Sequence, residues 1–150
     1  KQMFIEGIGS FEEAERLSRV QPISKGKYHV QVTKAEIAQG EKGKYINYRL
    51  DLVGNPEYNG RVLFHMVSFA PKAVGLLVAW SKAVGMTNWE DYSSEEAYAE
   101  ATVGKELDVE VGVYKVEEFN GKLKDIEITL EEAMEVNKPK NKVKKVVIPK

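Results

Sequence analysis

Pro71-Lys-Ala-Val-Gly-Leu-Leu-Val-Ala-Trp-Ser-Lys-Ala-Val-Gly85 reads as one amphipathic helix, and its place in the chain sets the architecture. Pro71 suits a first helical position, where a missing N–H leaves no hydrogen bond unmade. Ala73, Leu76, Leu77, Trp80, Ala83 and Val84 fall at helical spacing and predict one apolar face. Gly85 suits the left-handed residue that follows a helix.

Three strand-like runs precede this helix, at about 27–37, 45–53 and 61–69. In the first, Tyr28, Val30 and Val32 alternate with His29, Gln31 and Thr33. In the second, Ile46, Tyr48, Leu50 and Leu52 alternate with Tyr45, Asn47, Arg49 and Asp51, the pattern of a half-buried strand. The third is apolar on both faces except for His65 and Ser68, so Leu63 and Phe64 cannot be phased and one apolar face needs a cover. After the helix, Thr87…Glu90 and Ser93…Glu96 have the capping-box form and predict a helical insertion over 87–101. A hairpin over about 105–130 follows, centred on Asn120-Gly121, the strongest two-residue turn signal. That centre sets Val113 opposite Ile128, Val111 opposite Leu130 and Glu117 opposite Lys124.

Strand, strand, strand, helix, strand, strand is the element order of a five-stranded Greek-key barrel of the OB type, a mainly β fold with helices. Residues 21–132 are assigned to it. Residues 1–20 form an N-terminal segment whose capping box, Ser10…Glu13, starts a short helix through Leu17. Residues 133–150 form a basic extension. Lys138-Pro-Lys-Asn-Lys-Val-Lys-Lys145 reads chiefly as a solvated end, with a phosphate-contacting arm as the sharper alternative.

At 150 residues the chain is long enough for one domain with a real core. It has no cysteine, which excludes disulfides and thiolate metal sites and makes a reducing cytoplasm the simplest home. Its longest apolar run, Leu76–Trp80, is far short of the ~20 residues that span a bilayer. The net charge is −1, but Lys138–Lys150 holds six lysines and no acid. Removing those six from 22 leaves 16 basic against 23 acidic residues, a charge of −7 for the rest. Any polyanion must therefore bind a local positive stripe.

The chain carries no pattern that announces chemistry. Gly40…Gly43-Lys44 lacks Walker spacing, and Tyr45 stands where Ser or Thr would bind magnesium. His29 and His65 have no metal-ligand spacing, and no nucleophile elbow is present. No enzyme, cofactor or metal is expected.

An OB-type barrel binds polymers on its second and third strands and the loops beside them. A single nucleic-acid strand needs rings for its bases and cations for its phosphates. The candidate contacts are Lys42 and Lys44 in the first loop, and Tyr45, Asn47 and Arg49 on the second strand. Arg61, Phe64 and His65 are on or beside the third. Lys115, Phe119, Lys122 and Lys124 surround the last hairpin. Tyr28, Tyr48 and Trp80 are read as core. Tyr45 and Phe119 are open between stacking and shielding the barrel rim, and Arg49 between phosphate contact and a salt bridge to Asp51.

The runs Pro22-Ile23…Gly26-Lys27-Tyr28-His29-Val30, Gly43-Lys44-Tyr45-Ile46 and Tyr58-Asn59-Gly60-Arg61-Val62-Leu63-Phe64, continued by the helix, resemble a family of small bacteriophage proteins. Several of these are described as single-stranded DNA-binding proteins of replication and recombination modules. The resemblance covers about 11–85. It implies an OB-type fold and sequence-independent binding and protection of single-stranded DNA in the cytoplasm of an infected bacterium. Implied partners are the DNA and replication or recombination proteins of phage or host, with no membrane; self-association is left open. Such proteins commonly end in an acidic tail, whereas this chain ends basic. A protein-interaction module of a recombination or virion assembly is the alternative reading.

Overall fold

The computed structural model describes residues 9–11, 21–136 and 138–149. Strand β1 runs Gly26–Gly40, β2 Gly43–Leu52 and β3 Val62–Ser68. Strand β4 covers Glu106–Phe119, β5 Lys122–Ile128 and β6 Lys140–Val147. Helix α1 is Val74–Val84, led by a 3₁₀ turn at Pro71–Ala73; α2 is Glu95–Thr102 and α3 is Leu130–Ala133. The protein is mainly β with a few helices, built on one antiparallel sheet of six strands where five were expected. The N-terminal helix expected through Leu17 lies, beyond Phe11, outside the described residues.

Strands β1, β2 and β3 form a meander. A bulge interrupts β1 between Val32 and Lys34, with Thr33 as the extra residue. Bulges bend a strand and raise its twist. Here the first part of β1, Gly26–Gln31, pairs with β4, with only Val30 and Gln31 paired to β2 too, while the part after the bulge pairs with β2 alone. Tyr28, Val30 and Val32 point into the core as the alternation predicts, as do Ile46, Tyr48 and Leu50.

Strand β4 is the hub. Val109 pairs with Tyr28 on one side and Val146 on the other, so β1 and β6 flank it on opposite edges. Val113 pairs with both Ile128 and Asn141, so β5 continues the edge that β1 leaves at Gly26. The hairpin register is as expected, with Val113 opposite Ile128 and Glu117 opposite Lys124. Asn120 and Gly121 have φ of 50° and 78°, the positive values that a two-residue hairpin turn demands. Val111 faces Gly26 and Val143 instead of Leu130, because β5 ends at Ile128 and Thr129 caps α3 with a capping box to Glu132.

The stretch read as a solvated end is strand β6. Val143 is buried and Val146 packs on the core, while Lys140, Lys142 and Lys144 face outward. A slip in the pairing at Glu110/Val111 leaves Lys144 and Lys145 both exposed before Val146 turns back in. Asn141 anchors the strand's start. Its side chain accepts from the Ile23 N–H (2.8 Å) and donates to the Ile23 carbonyl (2.9 Å), standing in for a strand pair across 118 residues of sequence.

Helix α1 covers the inner side of β2 and β3. Trp80 stacks on Tyr48 with ring centroids 4.4 Å apart. The helix buries Leu77, Trp80, Ser81, Ala83 and Val84. Leu76, expected in that set, is 72% exposed, since it lies one position and about 100° from Leu77. Gly85, at φ 75°, closes the helix with its N–H on the carbonyls of Lys82 and Ser81. The insertion packs on α1: Ser81 and Tyr98 hydroxyls lie 2.6 Å apart, and the Trp89 indole donates to Ser81 (3.0 Å). Its α-helix starts one residue later than expected, with Ser94 capping the Ala97 N–H. No side chain caps the 3₁₀ turn at Trp89–Asp91, so Thr87 does not act as a cap.

Candidate functional site

The alternation of β3 settles what its sequence left open. Leu63 and Val67 are buried, while Phe64 is 71% and Met66 61% exposed. Across the meander, Phe64 stands opposite Arg49, which stands opposite Lys34. Met66 stands opposite Asn47, which stands opposite Glu36. Two rows of three side chains therefore cross the outward face, enclosing a hollow of about 410 Å³. The bulge at Thr33 restores the outward phase of Lys34 and Glu36.

This face is charge-balanced. Lys34 pairs with Glu36 at 3.0 Å and Arg49 with Asp51 at 3.0 Å, so the salt-bridge alternative for Arg49 is the one formed. Thr33 fixes that carboxylate by donating to it at 2.8 Å. Lys44 is held by Glu96 of α2 at 2.9 Å, which raises its pKa and lowers that of the glutamate. Lys42 lies exposed in the β1–β2 turn and forms no ion pair among the described residues.

His65, expected on the binding face, points to the packed side. Its ring lies 5.6 Å from that of Trp80, and burial pushes its pKa down to about 4, with the Lys142 charge adding to the effect. A strand of alternating phase must turn His65 inward once Phe64 and Met66 face out. Tyr45 is half-buried at the start of β2, its ring 3.1 Å from where a Cβ on Gly40 would sit. It shields the rim of the turn. Arg61 precedes β3, with its guanidinium donating to the Gln21 carbonyl.

The hairpin candidates form a separate group. Phe119 is 45% exposed, with the Lys124 ammonium 5.7 Å from its ring centre. Lys115 pairs with Glu117 at 2.5 Å, and Lys122 is exposed opposite Phe119. The hairpin leaves the sheet at the Gly26 end of β1, whereas Lys42 and Lys44 sit at the Gly40 end. The expected convergence of these cations is thus divided between the two ends of one strand.

Sequence reasoning reads the other wall of the site chiefly as a solvated end, with a phosphate-contacting arm as the alternative, and does not see it as a strand. Strand β6 lies beside β3, and the two border a cleft of about 740 Å³. Phe64, Met66 and Leu76 line it on one side, and Lys140, Lys142 and Lys144 on the other. These lysines are held by acids of β5: Asp125 takes Lys140 at 2.8 Å and Lys142 at 3.2 Å, and Glu127 takes Lys144 at 2.9 Å. The pairing, led by Lys140, lowers the Asp125 pKa, and Glu127 raises that of Lys144. The signal was the i, i+2, i+4 repeat of lysines around Asn141 and Val143.

Elsewhere, His29 bridges two carboxylates, Asp108 at 2.7 Å and Glu106 at 2.8 Å, which raise its pKa. No group of three or more metal-ligating side chains is arranged to hold an ion, and no helix is long and apolar enough to cross a membrane, among the described residues.

Residues 9–139 match a family model described as "Protein of unknown function (DUF669)". No curated protein matches the chain.

Proposed function

This chain belongs to the DUF669 family, whose description assigns no activity, and we propose that it binds single-stranded DNA without reading its sequence. The observation that carries the reading is the exposure of Phe64 and Met66 in rows shared with Arg49 and Asn47. An exposed ring on a sheet face offers a base a stacking platform, at ~1–3 kcal/mol per stacked base, and the adjacent thioether adds apolar contact. Arg49, Lys34 and Asn47 supply charge and hydrogen bonds beside it. Glu36, the partner of Lys34, is exposed and Asp51, the partner of Arg49, is partly so, and such pairs cost little to exchange for phosphate.

The reading includes an OB-type barrel in which β6, not β5, is the fifth strand. Four features support it: the β1–β3 meander, the return of β4 beside β1, α1 between β3 and β4, and β6 beside β3. In it β5 is an added arm on β4. On this reading the activity serves phage replication or recombination in the cytoplasm of an infected bacterium, as the resemblance to phage proteins implies, and involves no catalytic step.

The charge balance of the face favours a second reading, a docking site for a phage or host protein that buries Phe64, Met66 and Leu76. Anisotropy titration of fluorescein-labelled oligo-dT decides between them. DNA binding requires saturable binding at low salt that weakens as salt rises, with a log–log slope near −0.7 per phosphate neutralised. No binding at low salt would overturn the DNA reading in favour of protein docking.

A further inference from the structure

We infer that the outward lysines of β6, Lys140, Lys142 and Lys144, form a rail for the phosphodiester backbone of the strand whose bases rest on Phe64 and Met66. This rests on the reading that the face binds single-stranded DNA.

The argument starts from the cleft between β3 and β6. One wall carries Phe64 and Met66, and the other carries the three lysines, with Asp125 among the lining groups. A nucleic-acid strand has the same division, with flat apolar bases on one side and anions on the other. Lys140 and Lys142, alternate residues of a regular strand stretch, lie ~6.6 Å apart, and Lys144 follows at the slip in pairing. That repeat is of the order of the spacing between phosphates in an extended strand.

The lysines are also preset. Asp125 and Glu127 hold all three ammonium groups at 2.8–3.2 Å in the free protein. A carboxylate is an oxygen anion with the same appetite for N–H donors as a phosphodiester. The acids therefore act as stand-ins for phosphate and hold the long side chains across β4 toward β5. Glu127 reaches Lys144 because Gly112 between them has no side chain. A Cβ there would lie 2.9 Å from Glu127 Oε2 and 3.1 Å from Lys144 Cδ. Exchange of exposed pairs is inexpensive, and release of counterions from the DNA drives it at low salt.

The test is titration of labelled oligo-dT with three variants of the full chain. Lys140→Gln/Lys142→Gln/Lys144→Gln is expected to weaken binding at least about tenfold and to flatten the log–log salt slope by about 2, the share of three phosphates. Asp125→Asn/Glu127→Gln, which frees the rail, is expected to tighten binding about three- to tenfold. Loss of fold cannot produce that gain. Phe64→Ala/Met66→Ala reports on the base platform alone. If it weakens binding while the lysine variant matches the parent in affinity and slope, the rail is overturned and the DNA reading stands. If the acid variant fails to tighten binding, the stand-in role is overturned. If the parent binds no oligonucleotide, both readings fall together. Displacement of oligo-dT by polyglutamate of equal charge at equal concentration would also overturn the rail as a nucleic-acid track.

Discussion

Lys144 Nζ lies 2.9 Å from Glu127 Oε2, and the two side chains meet over the bare backbone of Gly112. Their strands, β6 and β5, occupy opposite edges of β4. The ion pair thus straps the two outer strands across the middle one. A side chain at position 112 would stand where the strap runs. The Tyr114 ring, 2.9 Å from an added Cβ, closes the remaining space.

Gly112→Ala should therefore cost about 1 kcal/mol, and Gly112→Val more, because the ring yields less readily than the ends of the flexible side chains. Urea unfolding checks this. The loss should exceed that of Glu127→Gln, which breaks the strap and leaves the space open.

Phe64→Ala and Met66→Ala should leave the urea midpoint nearly unchanged, since both side chains are mostly exposed. Leu63→Ala, one residue away and buried, should cost about 2–4 kcal/mol. In the DNA titration the ranking reverses: Phe64→Ala should weaken oligo-dT binding about tenfold or more.

Truncation after Lys138 tests whether the last strand is part of the fold. It removes the buried Val143, the Asn141 link to Ile23 and the strand paired with Asp108–Tyr114 of β4. We expect a loss of about 3 kcal/mol or more, read from the thermal midpoint by circular dichroism. An unchanged midpoint would return the segment to a solvated tail.

The two histidines should give opposite pH signatures. His65 faces Trp80 and feels Lys142, and its folded pKa is about 4, below the usual 6.5. Between those values the unfolded chain binds the proton and the folded one does not. The stabilising contribution is whole above about pH 6.5 and is lost as pH falls toward 4, by at most about 3 kcal/mol. His29 faces Asp108 and Glu106, with Lys27 also on Asp108 at 3.7 Å, and its folded pKa is raised. Its contribution is whole below about pH 6.5 and fades as pH rises through the folded value; being exposed, it is small. Urea midpoints at pH 7.5 and 5 check this. His65→Gln should reduce the loss on acidification, and His29→Gln should increase it.

What could be read from the sequence followed local rules. The hairpin register was legible because Asn120-Gly121 fixes a two-residue turn and the flanking residues keep period two. Strands β1 and β2 were legible because each has one polar face. Strand β3 was not, since Leu63 and Phe64 are both apolar; the phase is set by α1, which covers one side. His65 went to the wrong face because a polar residue on a strand is presumed to seek water, whereas here Trp80 lies against it. Strand β6 escaped because its bulge puts two lysines between Val143 and Val146 and breaks the alternation. The cations of the site were legible as residues, and Asp51 as the alternative partner of Arg49, but the longer-range partners were not. Lys34 with Glu36 and Lys115 with Glu117 are neighbours two residues apart, but the acids that meet Lys44 and Lys144, Glu96 and Glu127, come from pairings more than a dozen residues away.

The clasp of Asn141 on Ile23 spans 118 residues of chain. Closing so long a loop is an entropic toll levied before any reward arrives, and contacts of this range slow folding. The molecule should accordingly mature as one late cooperative event: hairpins zip early, and the first and last segments of the sheet find each other last.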